Sequence, residues 1–132
     1  LEVFMKKLVW SLFIAFSIKA LAYEEVWKLG EHFLPMEKNE AKNLLISKQC
    51  NEESCEALKV LKTVSLKNIP AEKFAGGKNP GAVICTESAK GKIVYLKDLS
   101  GNENTFCFFA DKSMVSSGTL AVYANKNDGG KK

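Results

Sequence analysis

Residues 23–34 read YEEVWKLGEHFL, and the period of their apolar residues sets the expected fold class. Val26, Leu29 and Phe33 fall at i, i+3 and i+7, with Trp27 on the flank, which is the spacing of one face of an α-helix. Pro35 ends that helix and suits the first turn of a second, PMEKNEAKNLLISK (35–48), where Ala41, Leu44 and Leu45 form the apolar stripe. CNEESC (50–55) interrupts the pattern. Asn51 can accept from free backbone N–H groups, and Glu52 and Glu53 suit the positive end of a helix. A third helix, ESCEALKVLKTV (53–64), turns Leu58 and Leu61 inward. Residues 23–68 are thus expected to be a helical half.

SLKNIPAEKFAGGK (65–78) is a linker, with one proline and two adjacent glycines. GGKNPGAVICTESAKG (76–91) follows. Asn79 is a strong N-cap, Pro80 stands where a missing N–H costs nothing, and Gly91 offers a left-handed stop. These signals outweigh the strand propensity of AVICTE and predict a helix over 80–90, with Ala82, Cys85 and Ala89 on one face. KIVYLKD (92–98) and TFCFFA (105–110), joined by LSGNEN (99–104), form a β-hairpin. In DKSMVSSGTLAVYA, Asp111 and Ser113 suit a turn. Leu120, Val122 and Tyr123 alternate with other residues as in a third strand, with a last helical turn as the alternative. The expected fold is α+β: three short N-terminal helices, then a capped helix on an antiparallel hairpin or three-stranded sheet. Residues 23–125 form one small domain, of which 76–124 are the helix-plus-hairpin half, and NKNDGGKK leads into a frayed tail at 126–132.

Residues 1–22 lie outside that domain. Met5-Lys6-Lys7 precede the 11 apolar-rich residues LVWSLFIAFSI and then KALA, with small residues at Ala20 and Ala22. A basic start, a short apolar run and an A-x-A end describe a secretory signal peptide cleaved after Ala22. The run is too short to span a bilayer, which takes about 20 residues. Leu1–Phe4 precede the start at Met5 and carry no expected role. The chain is therefore expected in the periplasm or the extracellular medium. Without the first 22 residues the formal charge drops from +4 to +2, because Lys6, Lys7, Lys19 and Glu2 leave with them. All 19 basic residues are lysine. A mild charge without arginine argues against nucleic acid, whose bidentate contacts favour Arg.

Four cysteines, Cys50, Cys55, Cys85 and Cys107, in an exported chain imply disulfides, and three pairings exist. Local geometry favours Cys50–Cys55 and Cys85–Cys107. The first would pin the corner between the second and third helices. For the second, a Cys85 on the first strand of a meander would stand roughly 9–10 Å from Cys107. A disulfide needs Cα atoms ~4.4–6.8 Å apart, which a helix laid on the hairpin allows. A zinc site would need close Cys pairs or His partners, and a redox thiol pair would need C-x-x-C; neither spacing occurs. No metal or cofactor is expected. Nucleophilic catalysis needs a base, and His32 is the only histidine, with no G-x-S-x-G, H-E-x-x-H or phosphate-cradling loop.

The run 76–115 resembles a short domain of small exported bacterial proteins, a family without established function whose members are often labelled hemolysins. The resemblance is carried by Asn79, Pro80, Cys85, Gly91, Asp98, Gly101, Cys107, Phe109, Asp111 and Ser113. It covers about 40 residues. Many members carry glycine where this chain has Lys112, and further cysteines and a tryptophan beyond it, which are absent here. The hemolysin label supplies no mechanism, and no stretch after residue 22 is amphipathic and basic enough for membrane lysis. The expected function is a non-enzymatic binding or envelope-associated module with an unknown protein or envelope partner. Its candidate contact residues are Phe106 and Phe108, opposite Cys107, unless the N-terminal helices cover them. Alternatives are a hydrolase inhibitor presenting LSGNEN or DKSMVSS, and a small enzyme acting on cell wall or peptide.

Overall fold

The computed structural model describes residues 22–52 and 54–130. The expected signal peptide lies outside the described residues. Six strands form a closed barrel: β1 (Tyr23–Leu29), β2 (His32–Asn39), β3 (Leu44–Ser47), β4 (Lys92–Asp98), β5 (Glu103–Phe108) and β6 (Met114–Ser116). Their order around the barrel is β1-β2-β3-β6-β5-β4, and β4 returns to β1. Every neighbouring pair is antiparallel. Two three-stranded meanders, one from each half of the chain, are thus joined edge to edge. Closure pairs the outer strands β1 and β4 at Trp27 with Asp98 and Lys28 with Lys97, which shortens the strand edge open to another chain.

The expected α+β fold with an N-terminal helical half is therefore corrected. Residues 23–47 are three strands and a 3-10 turn at Glu40–Lys42, not two helices. Val26, Leu29 and Phe33 do fit a helical period. Trp27 and Leu29, then Leu34 and Met36, also fit a period of two, and these four enter the barrel. Gly30-Glu31 decides between them. It is a two-residue turn between the paired Leu29 and His32, with Gly30 in the left-handed region (φ 59°). Glycine at the first central position is the type II′ hairpin signal. Pro35 sits inside β2, where it offers only its carbonyl, taken by the Lys48 N–H.

Among the described residues, four α-helices lie outside the barrel: α1 (Gln49–Glu52), α2 (Glu56–Val60), α3 (Pro80–Glu87) and α4 (Ser117–Asn127). α2 is all that remains of the expected third helix. α3 starts as the sequence predicts, with Asn79 Oδ1 accepting from Gly81 and Ala82. Its left-handed stop is Lys90 (φ 58°), not Gly91. The third strand falls at Met114–Ser116, and Leu120, Val122 and Tyr123 belong to α4. Ser116 caps α4 by accepting from the Thr119 N–H. Leu120 and Ala124, one turn apart, are buried, while Val122 is exposed. The expected tail begins docked rather than frayed: Asn127 Nδ2 donates to the Leu61 and Val64 carbonyls, at 3.0 and 2.9 Å. Asp128 accepts from the Ser65 hydroxyl and the Leu66 N–H.

Strand alternation builds two cores. Leu45, Leu96, Phe106 and Met114 point into the barrel with Trp27 and Met36. Their neighbours Ile46, Cys107 and Val115 point outward and meet Ile84, Cys85, Leu120 and Ala124 of the helices. α3 crosses α4 at Gly81, where an added Cβ would collide with the Ser117 carbonyl. The seam between β3 and β6 has one bridge, Ile46 with Val115. Hydroxyls complete it. Ser47 Oγ accepts from the Met114 N–H at 2.8 Å and donates to the Met114 carbonyl. Thr119 Oγ1 accepts from the Leu45 N–H and donates to the Asn43 carbonyl.

Candidate binding cleft

The four cysteines are joined Cys50–Cys55 and Cys85–Cys107, with Cα separations of 5.3 and 5.6 Å. The first bond spans the break between α1 and α2, and Cys55 also N-caps α2 by accepting from the Leu58 N–H. The second ties α3 to the outer face of β5. Two disulfides place the folded chain in an oxidising compartment.

Each remaining residue of the spaced pattern at 79–113 has an architectural task. Asn79 and Pro80 open α3. Gly91 is required by close approach, since a Cβ there would collide with Cys107 Sγ and stand 3.0 Å from the Phe109 ring. Asp98 braces the β4–β5 turn, accepting from the Ser100 and Asn102 N–H groups, both at 2.9 Å, while Gly101 takes φ 86°. Phe109 is buried in the outer core. Asp111 and Ser113 reach across the fold to cap α2: Asp111 Oδ2 accepts from the Glu56 N–H at 2.8 Å, and Ser113 Oγ from the Ala57 N–H at 3.0 Å.

Burial pushes the Asp111 carboxyl up, but hydrogen bonds from Ser113 and the Glu56 N–H outweigh it and hold the group below its ordinary value. Asp98, through the Asn102 N–H, and Asp128, through Ser65, are lowered as well. A carboxyl lowered by folding leaves the unfolded chain binding more protons, so its stabilisation is lost as pH falls. The loss begins near the ordinary aspartate value of about 3.9 and is complete below the lowered one. Asp111→Ala is expected to cost about 0.5–2 kcal/mol at neutral pH, the range for losing a cap. It should also flatten the fall of melting temperature in acid, and an acid slope equal to the parent's would contradict the assignment.

The sequence-proposed contact residues separate. Phe106 is 0% exposed inside the barrel, its ring edge-on to Trp27 at 5.1 Å between centroids. It is core, and strands rather than the expected helices cover it. Phe108 is half-buried at the barrel's end. His32 is exposed beside the β1–β2 turn. Among the described residues, no group of three or more His, Cys, Asp or Glu is placed to hold a metal ion. Much of DKSMVSS, from Ser113 onward, is buried. LSGNEN is exposed, with Leu99 70% accessible at its tip.

A cleft of about 630 Å³ opens between α2 and the α3–β4 turn. Val60, Ala89, Phe108, Phe109 and Ala110 line it with apolar surface, and Gly91 in its wall rests on the Cys107 sulfur. Lys59, Lys90 and Lys92 also line it, opposed by a single acid, Glu56. None of the three lysines is in an ion pair with a described residue. An apolar concavity of this size with a few convergent charges is the usual form of a ligand site. These lysines are scattered along the chain, which is why sequence reasoning missed them. No family model, curated protein or solved structure matches the chain.

Proposed function

We propose that the protein is an exported, disulfide-stabilised binding module without a catalytic site, and that the lysine-rimmed cleft is its contact surface. One observation carries this reading: every pattern residue that could have been chemical is already committed to a cap, a turn, a disulfide or a close contact. The signal peptide would be removed after Ala22, leaving the domain in the periplasm or outside the cell, bound to a protein or envelope component.

A second reading, inhibition of a hydrolase, draws on Leu99, which protrudes from a turn braced by Asp98. That turn is tightly folded, however, so an enzyme requiring an extended substrate strand would not find one there.

Crosslinking the native exported protein to its neighbours distinguishes the two. The partner held by the parent should be lost from a Lys59→Gln, Lys90→Gln, Lys92→Gln variant of unchanged melting temperature, and retained by Leu99→Ala. The opposite pattern would move the contact surface to the β4–β5 tip. Equal retention by both variants would remove the cleft from the function.

A further inference from the structure

Among the described residues, four other than glycine hold a left-handed backbone: Asn43, Asn68, Lys90 and Lys112. Asparagine takes this conformation readily, whereas lysine does so at a steric cost that glycine avoids. Lys90 (φ 58°) ends the α3 segment, and Lys112 (φ 69°) closes the β5–β6 turn, its N–H donating to the Phe109 carbonyl at 2.9 Å. Both are positions where glycine is the ordinary solution. Neither side chain is in an ion pair with a described residue. A strained backbone kept under a charged side chain points to a task for the charge.

The two lysines line two different clefts, one reaching the β5 arm and the other the β6 arm of the β5–β6 turn. Lys90 lines the cleft described above, which contains Phe108, Phe109 and Ala110. Lys112 lines a second cleft of about 240 Å³, beside Leu34, Met36 and Met114. Lys92, paired with Phe108 across β4 and β5, adds a further cation to the same end of the barrel.

Resting on the binding-module reading, we propose that Lys90 and Lys112 are anion-recognition residues, and that the occupant is an acidic peptide segment of a partner protein carrying an apolar side chain. Lysines at 59, 90 and 92 against one glutamate favour an acidic occupant. The apolar surface lies within a concavity, with Phe109 only 5% exposed. A protruding side chain can enter such a recess; a flat lipid surface meets the lysine rim first.

The test is an amide NMR titration of the oxidised 23–132 protein. The probes are a synthetic peptide Leu-Phe-Asp-Glu-Glu, its counterpart Leu-Phe-Lys-Lys-Lys, and phosphatidylglycerol-containing vesicles. The acidic peptide should shift amides at Lys59, Lys90 to Lys92 and Phe108 to Lys112, and the basic peptide should not. Lys90→Gly and Lys112→Gly should each weaken the acidic peptide roughly threefold to fivefold, the scale of one exposed charge contact. Both should melt no lower than the parent, because glycine suits a positive φ, and Lys90→Arg should keep most of the affinity. Unchanged affinity in both glycine variants would overturn the inference, as would shifts away from these residues, no shifts at all, or vesicles binding where the peptide does not. The cleft could still bind a partner in those cases, and only the crosslinking comparison decides that.

Discussion

Phe106→Ala is expected to lose about 3–5 kcal/mol of unfolding free energy, the range for deleting a large aromatic from a closed core. The ring is wholly buried in the barrel, packs edge-on against Trp27, and comes from the central strand of the second meander. The barrel wall surrounds the hole left behind, so it cannot collapse easily, and a cavity that persists keeps the cost high. A small domain has only about 5–15 kcal/mol in total. The loss should appear in urea denaturation as a lower midpoint at unchanged slope. Phe108→Ala, half-buried at the barrel's end, should cost clearly less. A loss under about 0.5 kcal/mol at Phe106, within the range of ordinary surface changes, would mean that the barrel interior is not packed as described.

The second large effect belongs to the disulfide between α3 and β5. Replacing Cys85 and Cys107 together by alanine should cost about 3 kcal/mol, from the freedom the unfolded chain regains when that loop opens. The equivalent change at Cys50 and Cys55, whose loop is much shorter (sequence separation 5 against 22), should cost about 2 kcal/mol in the same treatment. The order of the two is the test, read by denaturation of both double variants. The Cys85–Cys107 bond also supports the cleft, because Gly91 in the cleft wall lies against its sulfur. Its loss should therefore disturb amide signals at Lys90 to Lys92, which loss of the other bond would leave alone. A more damaging effect at Cys50 and Cys55 would place the weight of the fold in the α1–α2 corner.

The parts that sequence reading located correctly were those with short-range causes. The α3 start follows from Asn79 and Pro80, whose partners lie within three residues. The β4–β5 hairpin follows from β-rich runs on either side of a turn whose Asp98 accepts from residues two and four positions on. The N-terminal half failed at one ambiguous pattern. Val26, Leu29 and Phe33 satisfy a helical period, and the same twelve residues satisfy an alternating one. Gly30-Glu31 between two apolar runs was the available discriminator, a glycine-led two-residue turn. The left-handed stop expected at Gly91 falls at Lys90 for a similar reason. Backbone sterics in isolation favour glycine as the left-handed residue, but Gly91 is held by the sulfur packed against it, a contact from a strand sixteen residues away.

The sequence by itself determined the local pieces: the capped helix, the second hairpin, and four cysteines at spacings that fit neither zinc nor a redox pair. It did so because caps, turns and ligand spacings act within a few residues. Only the tertiary structure decided that the first half is a meander. The β1–β4 pairing of Trp27 with Asp98 closes a barrel between segments some seventy residues apart, and a hydrogen-bonded ladder over that distance leaves no short-range trace in the chain. Other long-range contacts bring Lys59, Lys90 and Lys92 around one apolar cleft, since Asp111 and Ser113 hold α2 in place and Lys92 pairs with Phe108 across β4 and β5, and no reading of their separate neighbourhoods could have assembled it.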